Sequence, residues 1–333
     1  MSTVTDIANL LDDKKHILIV QADNPDGDSV ASSLALEQIL HDLGKEPQMY
    51  CGVDIPKHLR HLSGWDRVEK DIPHTFDASI IVDCSSRSLL EIADNNGQLS
   101  WLLAKPVIIL DHHDIKPTID ATINYNDAKS VATGEVIYNL AKELHWPLTK
   151  TAKNMIAISI LSDSLGLMTE ATTPRSIRII ADLVESGVSL PELDEARRET
   201  MRKSIDLVRY KGELLKRIEY LDNTSIATIT IPWEEIEKYS SQYNPSILVL
   251  DDMRLTEGTK IAIAFKTYKD NRVTAKIRAN YGYPIANQLA EHFGGGGHPY
   301  ASGFKVIGKP FHELKSDTIK YASELLKRLE EEA

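Results

Sequence analysis

Short continuous apolar runs and stretches of helical spacing alternate through the first half of the chain. His16 to Ala22 (HILIVQA) has the length and composition of a buried strand. The polar loop Asp23 to Ser29 follows, and from Val30 to about His41 apolar residues return at the spacing of an amphipathic helix. Two further β-branched runs, Ala78 to Asp83 and Val107 to Asp111, read as strands, while Gly134 to Leu144, Thr151 to Leu165 and Pro174 to Ser186 read as helices. Buried strands alternating with helices predict an α/β fold built on a doubly wound, mostly parallel sheet.

After Pro191 the pattern changes. A highly charged stretch with apolar residues at helical spacing has no glycine before Gly212, and it reads as a connecting helix. Beyond it Ser225 to Ile231, Lys260 to Thr267 and Arg272 to Ala279 alternate as strands. A helix from Pro284 to His292, a glycine cluster, a short strand near Phe304 and a terminal helix from Phe311 complete a second, smaller α/β domain. The expected division is residues 1–189, a helical connection over 190–222, and residues 223–333.

Length agrees with two cores, since 333 residues is about twice a typical domain of roughly 100 to 200. With 42% hydrophobic and 26% charged residues the chain has material for a packed interior without staples. Thirty-eight basic against 49 acidic residues leave a net charge of −11, which argues against coating long nucleic acid through a broad cationic surface. Cys51 and Cys84 have no CxxC spacing and read as small buried residues of a reducing, cytoplasmic setting. The start of the chain lacks a basic, apolar leader, and the apolar runs are only strand length, so neither a secretory signal nor a membrane anchor is expected.

The acidic residues change the picture most. In a parallel sheet, loops leaving the carboxyl ends of the strands build the site. Asp26 and Asp28 lie in the loop after the first strand, Asp83 ends ASIIVD, and Asp111, His112 and His113 end VIILDHH. Asp163 falls near the end of an apolar helix, where an acid has no packing use. Any one of these alone reads more readily as a turn or helix cap. Together they would repel one another unless a cation neutralised them, and carboxylates mixed with imidazole suit manganese, magnesium, iron or zinc. Two ions bridged by one carboxylate would polarise a phosphoryl group and acidify water. In the second domain, Gly294 to Gly297 ahead of His298 would leave backbone N–H groups open to a phosphate, with Arg278 on a strand offering a bidentate fork.

The motifs DNPDGDS, VDCSS, LDHHD and SDSLG, in this order, resemble those of the DHH phosphoesterase family, and GGGGHPYASG at Gly294–Gly303 resembles its DHHA1 partner domain. The resemblance runs from about Ile17 to Phe304. It is strongest to the short cytosolic members, which hydrolyse nanoRNA, 3′-phosphoadenosine 5′-phosphate or linear dinucleotides. It implies Asp26 and Asp83 on one manganese ion and Asp28, Asp83, His112 and Asp163 on another, with Asp83 bridging. His113 would face the scissile phosphate, and Asp111 would orient His112 or His113. Gly295, Gly296, Gly297, His298 and Arg278 would bind substrate phosphate from the second domain, across the cleft from the metals. A homodimer is also implied. One departure stands out: the family histidine four residues before Asp26 is here Ala22, which weakens the Asp26 site.

The resulting expectation is a manganese-dependent phosphodiesterase or phosphatase, with magnesium or another divalent ion as substitute. Metal-activated hydroxide would attack a short oligonucleotide, a dinucleotide such as pApA or a nucleotide phosphate. Long strands would want a basic track interleaved with aromatics, and aromatics are only 6% here. A cyclic dinucleotide is an alternative substrate, and a nucleotide-binding sensor with lost turnover is an alternative function, motivated by Ala22. A haloacid-dehalogenase-like phosphatase would use the Asp26-Gly27-Asp28 sequence as DxD, but it leaves His112, His113 and the glycines without a role.

Overall fold

The computed structural model describes residues 3–223 and 225–332. The chain forms two units, one ending at Arg202 and the other beginning at Lys203.

In the first unit six strands make one sheet: β1 (His16–Val20), β2 (Glu46–Tyr50), β3 (Val68–Glu69), β4 (Ala78–Val82), β5 (Val107–Asp111) and β6 (Ile123–Asn126). Their order is β3-β2-β1-β4-β5-β6, and every neighbouring pair is parallel. Side chains alternate between two buried layers. Ile17, Ile19, Ile80, Val82, Ile108 and Leu110 pack toward helices Thr3–Asp12, Gly27–Asp42, Thr133–Glu143, Lys150–Asp163 and Pro174–Glu185. Leu18, Val20, Ile81 and Ile109 pack toward helices Glu91–Asn95 and Gln98–Leu103. The doubly wound parallel sheet read from the sequence is therefore present, and strand order reverses between β1 and β4, where such sheets open a crevice.

Strands β1 and β4 end earlier than their apolar runs. Gln21 still donates its N–H to the Tyr50 carbonyl, but Asp83 sits at φ +58°, a left-handed conformation that terminates β4. Strands β2 and β6 had no clean pattern, since β2 contains Pro47 and β6 alternates partly buried with exposed residues.

The second unit holds β7 (Glu219–Leu221), β8 (Ile226–Ile231), β9 (Ile261–Thr267), β10 (Arg272–Ala279), β11 (Gly296–His298) and β12 (Ala301–Ile307) in the order β11-β12-β10-β9-β8-β7. Only β8 and β9 run parallel; the other pairs are antiparallel. Helices Ala286–His292 and Phe311–Glu332 cover one face. Helices Ile205–Lys216, Trp233–Tyr239 and Ile247–Arg254 cover the other over β8 and β9, where the apolar layer stops at Ala262 and Ala264.

The helical connection expected over 190–222 is not a separate body. Helix Leu190–Thr200 contacts the turn Lys57–Leu59 of the first unit, whereas helix Ile205–Lys216 buries Leu207, Tyr210 and Leu214 in the second core. Charge along 191–204 hid the change of allegiance, because the apolar residues that choose a core lie on either side of it. Cys51 and Cys84 are both free and buried. Among the described residues no helix is long and apolar enough to cross a membrane.

Candidate metal centre

The loops after β1, β4 and β5 converge at the carboxyl edge, beside the point where strand order reverses. Asp26 caps helix Gly27–Asp42: its Oδ1 accepts the Ser29 N–H at 3.0 Å, and Ser29 Oγ accepts the Asp26 N–H in return. Asp28, two residues after the cap, is completely buried. A Cβ on Gly27 would collide with Ser162, so this glycine lets helix Lys150–Asp163 come close. That approach brings Ser159 and Asp163 to Asp28, across more than a hundred residues of chain.

Asp28 is held on both oxygens. Its Oδ1 accepts from Ser32 Oγ at 2.9 Å and Ser159 Oγ at 2.5 Å, and its Oδ2 accepts from the Thr133 backbone N–H at 2.8 Å. Thr133 Oγ1 donates to Asp83 Oδ1 at 3.0 Å, so one residue ties the first and second acids together.

His112 completes the cluster. Its Nδ1 lies 3.3 Å from the Ser130 carbonyl, which accepts the ring proton there and leaves the Nε2 lone pair facing inward. That Nε2 is buried without a hydrogen bond, 3.5 Å from Asp28 Oδ2, 3.5 Å from Asp83 Oδ1 and 3.3 Å from Asp163 Oδ2. A lone pair surrounded by three carboxylates is repulsive unless a cation lies between them. Three hard oxygens and one imidazole fit a divalent ion such as manganese, magnesium or zinc. Donor atoms of Asp28, His112 and Asp163 lie within 4.8 Å of one another, as do those of Asp83, His112 and His113.

The electrostatics agree with a site that wants a cation. Burial, then the charges of Asp28 and Asp26, push the Asp83 carboxyl well above the ordinary carboxylate range. Burial, then Asp28, raise Asp163 to about 6. Asp111 differs. Burial alone would raise it, but the hydrogen bonds from His113 act against that, and the carboxyl is held below its ordinary value. His113 Nδ1 donates to Asp111 Oδ1 at 2.8 Å, and this bond chiefly raises the His113 pKa. Asp111 thus orients the His113 ring, while His112 receives only a backbone contact from it, 2.8 Å from N to Oδ1.

Asp26 is exposed and stands outside both groups of converging donors, although its charge reaches Asp83 and Asp163. Ala22 is buried among Cys84, Leu90 and Ala93, in the apolar layer against helix Glu91–Asn95. Asp23 does not turn toward the acids: its Oδ2 accepts the Ile92 N–H at 2.8 Å.

The residues that hold the acids were not singled out from the sequence. Ser32, Thr133 and Ser159 had no pattern to mark them. Arg175 binds Glu135 at 2.5 Å, Asp127 at 2.8 Å and Ser130 Oγ at 2.9 Å, pinning the loop whose carbonyl orients His112. The sequence signal was a buried acid, Glu135, early in a helix.

In the second unit the glycine run behaves differently from its reading as an open loop. The N–H groups of Gly294 and Gly295 are taken by the Glu291 and Ala290 carbonyls, which close helix Ala286–His292. A Cβ on Gly295 would strike Gly303 and Phe304, so this residue serves close strand approach. Gly296, Gly297 and His298 form the edge strand β11. The register aligns His298 with Ala301 of β12 and Ala301 with Arg278 of β10, so Arg278 and His298 occupy one row across three strands. Arg278 and Gly294–Gly297 line a cavity of about 760 Å³; His298 is exposed outside it.

A doubly wound parallel sheet with carboxylates and imidazoles gathered at its switch point defines an α/β domain whose side chains could hold a divalent metal. Residues 16–172 match the model of the DHH family, N-terminal domain. It is 24% identical over 287 residues to the bifunctional oligoribonuclease and PAP phosphatase NrnA of Bacillus subtilis (strain 168), covering 85% of this chain and 86% of that one. The protein of the same name from Thermus thermophilus is 25% identical over 305 residues, covering 92% and 88%. Among solved structures, an exopolyphosphatase-related protein from Bacteroides fragilis superposes with a TM-score of 0.82 at 19% identity, over 97% of each chain, which shows a shared fold.

Proposed function

We propose that this chain is a divalent-metal-dependent phosphoesterase that hydrolyses short nucleotide substrates. The observation that carries the reading is the buried, unpartnered Nε2 of His112 facing Asp28, Asp83 and Asp163. Those four residues would hold one ion, and Asp26 with Asp83 would hold a second more weakly. Manganese is the ion we expect, and a homodimer the assembly.

A divalent cation supplies Lewis-acid polarisation of a phosphoryl group and makes water acidic enough to attack at neutral pH. The chain's own residues do the rest. Thr133 holds Asp28 and Asp83 in place, and Ser130 holds His112 with its lone pair inward. His113, whose Nδ1 donates to Asp111 in a bond that raises its pKa, would present its other ring nitrogen to a phosphoryl oxygen. Arg278 and His298 would bind phosphate on the second unit. The curated relatives named for oligoribonuclease and PAP phosphatase activities support nanoRNA, pApA and 3′-phosphoadenosine 5′-phosphate as the substrates to try.

The test is a panel of those compounds and a cyclic dinucleotide, incubated with manganese or magnesium and resolved by product separation. Manganese titration of chelator-treated protein by calorimetry runs beside it. Metal binding lost in His112→Ala, together with hydrolysis of at least one linear substrate, is the expected result. No hydrolysis of any phosphoester by protein that binds metal would sink the enzyme reading. It would favour a nucleotide-binding sensor, the second reading, which rests on Ala22 standing where the family carries a histidine and on Asp26 lying outside the converging donors.

A further inference from the structure

Three of the four residues proposed to hold metal depend on one short segment. Between β6 and helix Thr133–Glu143 the chain makes a loop over residues 127–132. The Ser130 carbonyl in this loop accepts from His112 Nδ1, and Thr133, where the helix begins, gives its backbone N–H to Asp28 and its hydroxyl to Asp83. If the segment moved, the partners of His112, Asp28 and Asp83 would move together.

Most bonds inside the segment are local and turn with it. Ser130 donates its N–H to the Asp127 carbonyl at 2.8 Å and its hydroxyl to Asp127 Oδ2 at 2.9 Å, and the Val131 N–H reaches Glu135 Oε2 at 3.1 Å. The start of the loop is tied to β5, where the Asp127 N–H donates to the Asp111 carbonyl at 3.1 Å. Its far end is tied to a different element by Arg175, in the first turn of helix Pro174–Glu185. Arg175 Nε donates to Glu135 Oε1, and one terminal nitrogen donates to both Asp127 Oδ2 and Ser130 Oγ. Glu135 is completely buried, so its carboxylate needs that cation. The planar guanidinium fork aims two nitrogens at two partners, which a lysine ammonium on a flexible stem does not reproduce.

The consequence falls on His112. A ring held by a proton on Nδ1 keeps the Nε2 lone pair for metal, and the group that accepts that proton fixes both tautomer and orientation. We propose that Arg175 is a positioning residue of the metal centre. By clamping the loop 127–132 to helix Pro174–Glu185 it sets the His112 tautomer and holds Thr133 against Asp28 and Asp83, so metal affinity depends on a side chain whose own partners are Glu135, Asp127 and Ser130. The inference rests on the metal-centre reading above and extends it to a residue outside the converging donors.

The experiment uses the full chain in two states. In chelator, above the histidine titration range, long-range proton–nitrogen NMR reads which ring nitrogen of His112 carries the proton, with the signal assigned by its loss in His112→Ala. After the chelator is removed, calorimetry gives the manganese Kd. The unaltered protein should carry the proton on Nδ1. Arg175→Gln and Arg175→Lys should raise the Kd roughly 10- to 100-fold and populate the other tautomer. Arg178→Gln, an exposed change on the same helix, should alter neither. Because Arg175→Gln strands the buried Glu135 carboxylate, it is also made together with Glu135→Gln. Thermal melts show which variants fold, and Arg175→Lys and the double variant decide if Arg175→Gln does not. An unchanged Kd or an unmoved tautomer in the folded Arg175 variants, or the same changes in Arg178→Gln, overturns the proposal. If the unaltered protein binds no manganese, the metal-dependent reading falls by itself. A tautomer shift confined to the Arg175 variants would then still uphold Arg175 as the residue that orients His112, and no shift would end that as well.

Discussion

Replacing Asp163 by Asn should stabilise the metal-free protein while weakening its hold on metal. The side chain is 31% exposed, and its Oδ2 lies 3.3 Å from His112 Nε2, so Asn preserves the shape and removes only the charge. Burial and Asp28 raise this carboxyl from 3.8 to about 6. A group that binds its proton more tightly when folded favours folding at low pH. Below about pH 4 it is protonated in both states and costs nothing. From about pH 4 to about 6 the unfolded chain releases the proton while the folded one retains it, and stability falls by about 1.4 kcal/mol per pH unit before levelling off. The total is about 3 kcal/mol, or roughly 6–12 °C in the melting temperature of a unit this size. The assay is thermal denaturation of both proteins in chelator from pH 4 to 8. Asp163→Asn should melt higher by that amount above pH 6 and nearly equally at pH 4. Saturating manganese should reverse the order, because metal stabilises only a folded state that binds it. An equal gain at pH 4 and pH 8, or no gain at all, would refute the argument that the acids repel one another.

Three further outcomes follow from the same geometry. Asp83→Ala should abolish hydrolysis more completely than Asp26→Ala in steady-state assays, since Asp83 sits among the buried donors whereas Asp26 is exposed; equal residual activities would count against a shared Asp83. Thr133→Val removes a buried hydrogen bond to a charged group, worth about 1.5–3 kcal/mol, and should lower kcat/KM roughly 10- to 100-fold with circular dichroism unchanged. Asp111→Asn removes the bond that chiefly raises the His113 pKa, so the alkaline fall of kcat/KM should move to lower pH; an unmoved profile would show that a protonated His113 is not required.

Much of this architecture was legible along the chain because its cause is local. Five-residue β-branched runs such as ASIIV bury both faces and can only be inner strands, and an acid directly after such a run must stand at the sheet's carboxyl edge. Asp28, Asp83, Asp111 and His112 were placed at that edge by this reasoning alone. Strands whose patterns are blurred by proline or partial exposure, β2 and β6, were not seen, and the charged connection concealed which helix belongs to which core.

What tertiary structure decided is which atoms meet. Asp163 reaches Asp28 because Gly27 admits a second helix, and Ser159 comes with it, from 131 residues away. The ambiguity over Asp111 resolved toward His113 because one ring turns outward to it while the other is held by the Ser130 carbonyl. In the second unit, period-two alternation puts Lys276 and Arg278 on one face of β10, but only strand register sets Lys276 opposite Gly303 and Lys266 opposite Thr274. Periodicity is a property of a few consecutive residues, so sequence carries it directly. Convergence of donor atoms depends on how closely separate helices and strands pack, and that is settled only when the whole chain has folded.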